Sequence, residues 1–286
     1  MDTLYHYCST STFAAILETN SIWLSSLTLS NDSMEGQLVK ETISRLARAD
    51  GLSDHICERL GESLAFLERS LGGLGFCLSE QGDLLSQWRG YADDAHGLSI
   101  GFSKRYLEEL SRHAFLARKK SRFTLQKVQY DSHEDLVIST YEELKTLINE
   151  GAFKTPSLSS LLSNRSPEDI LDEDKKIRNA HTNLMLRTLT LGPQLYKLKS
   201  PAFREEAEWR LVSLLASGID DDFSIRAIRD RVIPYRVFQL DKLENPCINE
   251  VILGPKNKTP PEVVKAILKK AGMESAEVKK SAATYV

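Results

Sequence analysis

The stretch Pro201-Ala202-Phe203-Arg204-Glu205-Glu206-Ala207-Glu208-Trp209-Arg210-Leu211-Val212-Ser213-Leu214-Leu215 decides how the chain is read. It passes from a Pro-led, carboxylate-rich segment into an apolar run suited to a strand. Side chains alternate across a strand, so an extended Glu206-x-Glu208 puts both carboxylates on one face of a sheet. Two like charges there repel, and solvent, a cation or a substrate has to offset them. The same residues also fit a solvated turn running into an edge strand, with Arg210 as the structural partner of one glutamate.

Working outward to the N-terminus, Leu4-Tyr5-His6-Tyr7-Cys8 reads as a strand of aromatic β-formers. Ser9 to Thr12 offer N-caps for a short helix with Phe13, Ile16 and Leu17 on its apolar face, and Asn20 suits its C-cap. Ile22-Trp23-Leu24-Ser25-Ser26 is a second strand, so the opening fits a compact βαβ unit. A polar loop with Asn31, Asp32 and Glu35 precedes two helices, the second stopped by Gly72-Gly73. Strands are predicted over 74–79, 98–102 and 124–130. Between the first two, a short helix over 84–91 carries Ser86, Gln87, Trp88, Arg89 and Tyr91. Residues 132–192 read as a helical insertion or flank. Tyr196-Lys197-Leu198-Lys199 reads as a short strand. After the glutamates come strands within 233–240, 250–255 and 276–279. Thr259-Pro260-Pro261-Glu262 has capping-box spacing ahead of a last helix. Strands spread along the whole chain with helices between them predict an α+β fold in a single domain over 1–286.

Composition narrows the function classes. The chain has 286 residues, long enough for a core that needs no covalent staples. A formal net charge of −3 gives no global electrostatic case for nucleic acid or an anionic membrane. Arg118-Lys119-Lys120 is the densest basic run and reads as a solvated face. Cys8, Cys57, Cys77 and Cys247 lie too far apart for a zinc clip and suit reduced thiols in a cytoplasm. No apolar run approaches the ~20 residues of a transmembrane helix, and the N-terminus has no secretory pattern. No GxGxxG follows a strand, and no Walker loop or GxSxG is present. The Asn31-Asp32…Glu35 loop lacks the ligand spacing of a calcium loop, so no metal is assigned.

The ordered set Leu4-Tyr5-His6-Tyr7, Ile22-Trp23-Leu24-Ser25, Asn31-Asp32-Ser33-Met34-Glu35, Phe76-Cys77-Leu78-Ser79, Ser86-Gln87-Trp88-Arg89-Gly90-Tyr91-Ala92, Gly97-Leu98-Ser99-Ile100-Gly101-Phe102 and Glu206-Ala207-Glu208-Trp209-Arg210 resembles an uncharacterised bacterial family that carries a domain-of-unknown-function label. A second resemblance is to ADP-ribosyltransferases, in which a first-strand His or Arg, a second-strand Ser-Thr-Ser element and a later catalytic Glu occur in that order. His6, Ser25-Ser26 and Glu206-x-Glu208 stand in the same order, although the second-strand element here is Leu24-Ser25-Ser26-Leu27.

That resemblance implies a split mixed or antiparallel sheet, with NAD as substrate. Cleaving the nicotinamide–ribose bond builds oxocarbenium charge, which a fixed carboxylate stabilises. Glu208 would face the ribose, Glu206 would orient the acceptor and His6 would hold a ribose hydroxyl, with the choice between the two glutamates open. Tyr7, Ser25, Ser26, Trp88, Arg89 and Tyr91 would complete the NAD site. The implied setting is bacterial conflict or phage defence in the cytoplasm, with a protein or nucleic-acid acceptor and an antitoxin or defence-system partner. Two rival expectations are a non-catalytic sensor on the same fold and a metal-dependent nuclease using Asp32, Glu35 and Glu206.

Overall fold

The computed structural model describes residues 2–29, 37–116, 122–131, 133–154, 167–216, 221–228, 230–240 and 243–285. The Asn31–Glu35 loop, the Arg118-Lys119-Lys120 run and most of the Ser-rich connection before residue 167 lie outside the described residues. The protein is a mixed α+β fold, built among the described residues on one ten-stranded sheet.

The sheet is organised by β3 (Leu71–Ser79) and β6 (Glu208–Ala216). They pair antiparallel over nine positions, from Leu71↔Ala216 to Ser79↔Glu208. A strand has two hydrogen-bonding edges, so β1 (Thr3–Cys8) and β2 (Ser21–Ser26) must share the other edge of β3. β1 meets it through Tyr5↔Ser79, and β2 through Ser25↔Gly75 and Ser26↔Leu74. The sheet therefore forks at β3. One arm runs β1, β4 (Leu98–Ser103), β9 (Ile248–Leu253) and β10 (Glu277–Lys280). The other runs β2, β8 (Arg231–Gln239) and β7 (Ser224–Ile228). β5 (Thr124–Lys127) covers the far edge of β6, which makes β6 an inner strand rather than an edge.

Local chemistry explains the opening. Ser9 caps α1 (Thr10–Thr19) by accepting from the Thr12 amide at 3.2 Å, and Asn20 ends it with φ +48°. β1 and β2 run in the same direction, as a βαβ reading requires, but they are not neighbours: β3 lies between their ends. Gly72 and Gly73 belong to β3 and do not stop the preceding helix. A Cβ at Gly73 would stand 2.4 Å from the Tyr196 ring, so glycine serves packing there.

Helices cover the two faces unequally. α1, α5 (Lys104–Leu116) and α9 (Pro261–Lys270) enclose a core around Leu4, Phe76, Ile100, Phe102 and Val251. A second core joins α2 (Gln37–Ala49), α3 (Asp54–Ser70), α6 (His133–Asn149), α7 (Pro167–Leu189) and the single turn α8 (Gly192–Leu195) around Ile43, Leu64, Tyr141 and Leu184. The segment predicted as helical over 132–192 is thus mainly helical where described, with turns after Asn149 and Leu189. α9 begins after Pro260, and no side chain caps it, so the capping-box expectation fails. Residues 196–199 are not a strand; they follow α8 as a turn with one bridge, Gln129↔Leu198. No helix among the described residues is long and apolar enough to cross a membrane.

Candidate functional site

The cleft beside the fork has a volume of about 220 Å³. Its polar end is the decisive stretch itself. The glutamates converge there, but not by strand alternation. Pro201–Glu206 is a 3-10 turn opened by Pro201 and started at Ser200. Ala207 then takes φ +42°, in the left-handed region, and Glu208 opens β6. The turn swings Glu206 back over the strand, so both carboxylates meet one buried ammonium. Lys199 Nζ lies 2.6 Å from Glu206 Oε2 and 2.8 Å from Glu208 Oε2.

Arg210 completes the group. Its Nε donates to Glu208 Oε1 at 2.7 Å, its second terminal nitrogen to Glu208 Oε2 at 2.9 Å, and its first to the Tyr196 carbonyl at 3.0 Å. The compensating charge that the acidic pair demands is therefore internal: two carboxylates, one lysine and one arginine. Burial alone would raise the Glu208 carboxyl, but Arg210 and then Lys199 outweigh it and hold it at about 2. Burial would lower the Lys199 ammonium, yet Glu208 and Glu206 hold it above its ordinary range. Glu208 also receives a backbone anchor, because its amide donates to the Tyr130 hydroxyl at 2.9 Å.

Glu206 faces the cleft more openly. Its Oε1 accepts from the Tyr91 hydroxyl at 3.0 Å, and the Phe203 ring lies 4.7 Å from Lys199 Nζ. Tyr91 sits on α4 (Leu85–Tyr91), and Gln87, one turn earlier on the same face, also lines the cleft. The opposite side of α4 is locked. Trp88 is fully buried, meets Tyr7 edge-on at 4.9 Å and donates to Asp83 at 2.6 Å. Asp83 in turn accepts from the Ser281 hydroxyl at 2.5 Å and the Ala282 amide at 2.7 Å, clasping residues of the last segment to α4.

The predicted site residues divide. Glu206, Glu208, Tyr91, His6 and Tyr7 line one cleft. The Tyr7 hydroxyl is already committed, donating to the Gln81 carbonyl and accepting from the Leu84 amide. Ser25, Ser26, Trp88 and Arg89 are not part of the lining. Ser25 accepts from Arg226 on β7, and Ser26 bonds Thr28. Trp88 is core, and Arg89 lies over the Tyr285 ring instead. The fork explains the serines: β2 meets β3 at Gly75 and Leu74, short of the Ser79 end where Glu208 pairs. Sequence reasoning missed Lys199 as the charge partner and Gln87 as a wall of the cleft.

His6 has a different place from the one expected. The register puts Glu208 opposite Ser79 and Ser79 opposite Tyr5, so Glu208 shares a sheet face with Tyr5 and Tyr7. His6, between them, turns to the other face, where its ring stacks on Phe76 at 3.9 Å. Its Nδ1 bonds the Cys77 carbonyl of β3 at 2.8 Å, beside the point where β1 and β2 part. His6 thus plugs the fork. Burial pushes its imidazole down to about 4, against a smaller upward pull from the Cys77 carbonyl. Neutral His6 then donates through Nδ1 and keeps Nε2 as an acceptor.

The folded value lies below the ordinary 6.5, so the unfolded chain binds the extra proton first as pH falls. Stability should therefore be complete above 6.5 and decline towards 4, with a slope of up to about 1.4 kcal/mol per pH unit from this group. His6→Gln should flatten that part of the profile. Denaturant unfolding across the range checks it, and equal slopes in both proteins would refute the assignment.

No curated protein and no solved structure matches the chain. Residues 87–211, which run from Gln87 on α4 to Leu211 on β6 and include Tyr91, Lys199, Glu206, Glu208 and Arg210, match a family model described as "Protein of unknown function (DUF2971)".

Proposed function

We propose that the cleft receives the nicotinamide end of NAD and that the protein transfers or hydrolyses its ADP-ribosyl group. The observation that carries this reading is the Glu206 carboxylate on the cleft wall beside the Tyr91 and Phe203 rings. The nicotinamide of NAD is a flat cationic ring, and aromatic faces with a nearby carboxylate attract such a group. A cavity of about 220 Å³ takes one ring and its neighbourhood, whereas a whole drug-sized ligand fills ~300–1,000 Å³. The adenosine half would then lie outside.

In this reading the C–N bond breaks, nicotinamide leaves with the bonding pair, and an acceptor oxygen or nitrogen bonds to the ribose carbon. Glu206 stabilises the cationic sugar and takes the acceptor's proton. Glu208, with both oxygens engaged by Arg210 and Lys199, fixes Lys199 and through it Glu206. This exchanges the roles that the motif order alone suggests. Water as acceptor makes the protein a glycohydrolase; a protein or nucleic-acid group makes it a transferase. Bacterial conflict or phage defence, in the cytoplasm and with an antitoxin or defence-system partner, is the setting that goes with this chemistry.

The wild-type protein should release nicotinamide from NAD, and Glu206→Gln should slow release by about 10²–10³-fold. Nicotinamide is quantified by chromatography, with and without candidate acceptors. A second reading, ligand recognition without turnover, is favoured by the balanced charge of the Glu206, Glu208, Lys199 and Arg210 group. Calorimetric binding of NAD without nicotinamide release would select it, and absence of both would overturn the NAD reading.

A further inference from the structure

Gln87 is buried to 7 % exposure, yet its carboxamide has no hydrogen-bond partner among the described residues. Its side-chain nitrogen and oxygen are not among the unpartnered polar atoms sealed from solvent, so the carboxamide opens into the cleft and is placed to pair with what enters it. The side chain lines the same cleft as Glu206 and Tyr91. Its neighbours on α4 show that the position is imposed. Trp88, the next residue, is pinned by Asp83 and Tyr7, and Tyr91, one turn on, by Glu206. The helix cannot rotate to carry Gln87 away from the cleft without breaking those contacts.

The charged groups of the cleft and its Tyr91 hydroxyl differ from Gln87 in one respect: each is already committed. Lys199 holds both glutamates, Glu208 holds Arg210, and the Tyr91 hydroxyl holds Glu206. Gln87 alone among these brings an unused donor and an unused acceptor, side by side on one planar group.

We infer that Gln87 is the specificity-determining residue of the cleft, pairing with a planar ligand edge that offers an acceptor and an N–H donor side by side. A primary carboxamide on a ring has that edge, and so does the lactam of a nucleobase. Within the NAD reading, on which this choice rests, the partner is the nicotinamide carboxamide. Paired this way, Gln87 selects for the amide nitrogen that an isosteric ketone lacks. A site built to bond an N–H rejects an analogue without it, because its own polar group then stays unpaired.

The test is calorimetric titration of the full chain with three probes: NAD, the NAD analogue with acetyl in place of the carboxamide, and uridine monophosphate as the lactam. Wild-type protein should bind the acetyl analogue at least about tenfold more weakly than NAD. Gln87→Met, which keeps the volume, should bind the two equally. Uridine monophosphate binding that Gln87→Met abolishes, with no NAD binding, keeps Gln87 as the reader and removes the NAD reading. NAD binding with no discrimination by the wild-type protein, or unchanged discrimination in Gln87→Met, overturns the role of Gln87 and leaves the NAD reading standing. No binding of any probe overturns both. Should Gln87→Met fail to fold, the wild-type comparison of NAD with its acetyl analogue decides alone.

Discussion

Lys199→Met is expected to destabilise the protein by about 3–5 kcal/mol, the range for removing one partner of a buried ion pair. The side chain contacts both Glu206 and Glu208 in a site where all three are buried. Methionine fills a similar volume, so the loss is electrostatic rather than a packing defect. Two carboxylates then remain, with Arg210 donating to Glu208.

The pH profile gives this prediction its signature. In the wild type, Glu208 is held at about 2, below the ordinary 4.5. Its contribution to stability is present above 4.5 and is lost as pH falls towards 2. Without Lys199, Glu208 keeps Arg210 but loses its second cation, so less of this contribution remains to be lost and the two profiles should converge as pH falls towards 2. Denaturant unfolding at several pH values measures both. A variant as stable as the wild type at neutral pH would show that the lysine does not hold the pair.

The second large effect is at Trp88. Trp88→Ala should cost about 3–5 kcal/mol through the void it leaves, since the side chain is wholly buried against Tyr7. The void lies behind the helix that carries Gln87 and Tyr91 into the cleft. Whatever ligand binding the protein shows should therefore weaken together with stability. Trp88→Phe keeps most of the ring and loses the bond to Asp83, so it should cost only about 1–2 kcal/mol. Thermal melting and ligand titration on both variants check the pairing. Full binding by Trp88→Ala would separate helix position from the cleft.

Much of the framework was readable from pattern alone. The aromatic run at Leu4–Cys8, the Ser9 cap, the Asn20 stop and the alternating residues after Trp209 each encode their element locally, and the structure places strands and a helix there. The site was harder, because what joins it is not local. Lys199 looks like an alternating residue of a strand. Only the tight turn opened by Pro201 makes it the partner of glutamates seven and nine residues further on. A lysine just before Ser-Pro and a Glu-x-Glu just after was the available signal. Ser25 and Ser26 were placed by motif order, which carries no information about which end of β3 the second strand meets. Motif order points His6 at the glutamates, and only the register of two pairings, Tyr5↔Ser79 and Ser79↔Glu208, puts its ring on the other face of the sheet. Gly72-Gly73 looks like punctuation, but the Tyr196 ring needs the space.

The fork also sets when the cleft can exist during folding. Its walls come from β1, from α4 and from the start of β6, and its outer arm is closed by strands near the other end of the chain. Tyr5 bonds Glu250 across 245 residues of sequence, and Ser79 bonds the Glu206 carbonyl across 127. Local helices form fast, whereas contacts this distant must first overcome the entropy of closing long loops. The helical core can therefore assemble early while the cleft waits for late sheet closure. On a ribosome, the nascent chain would carry no finished cleft until β6 had emerged and zipped onto β3, which keeps the site silent through most of synthesis.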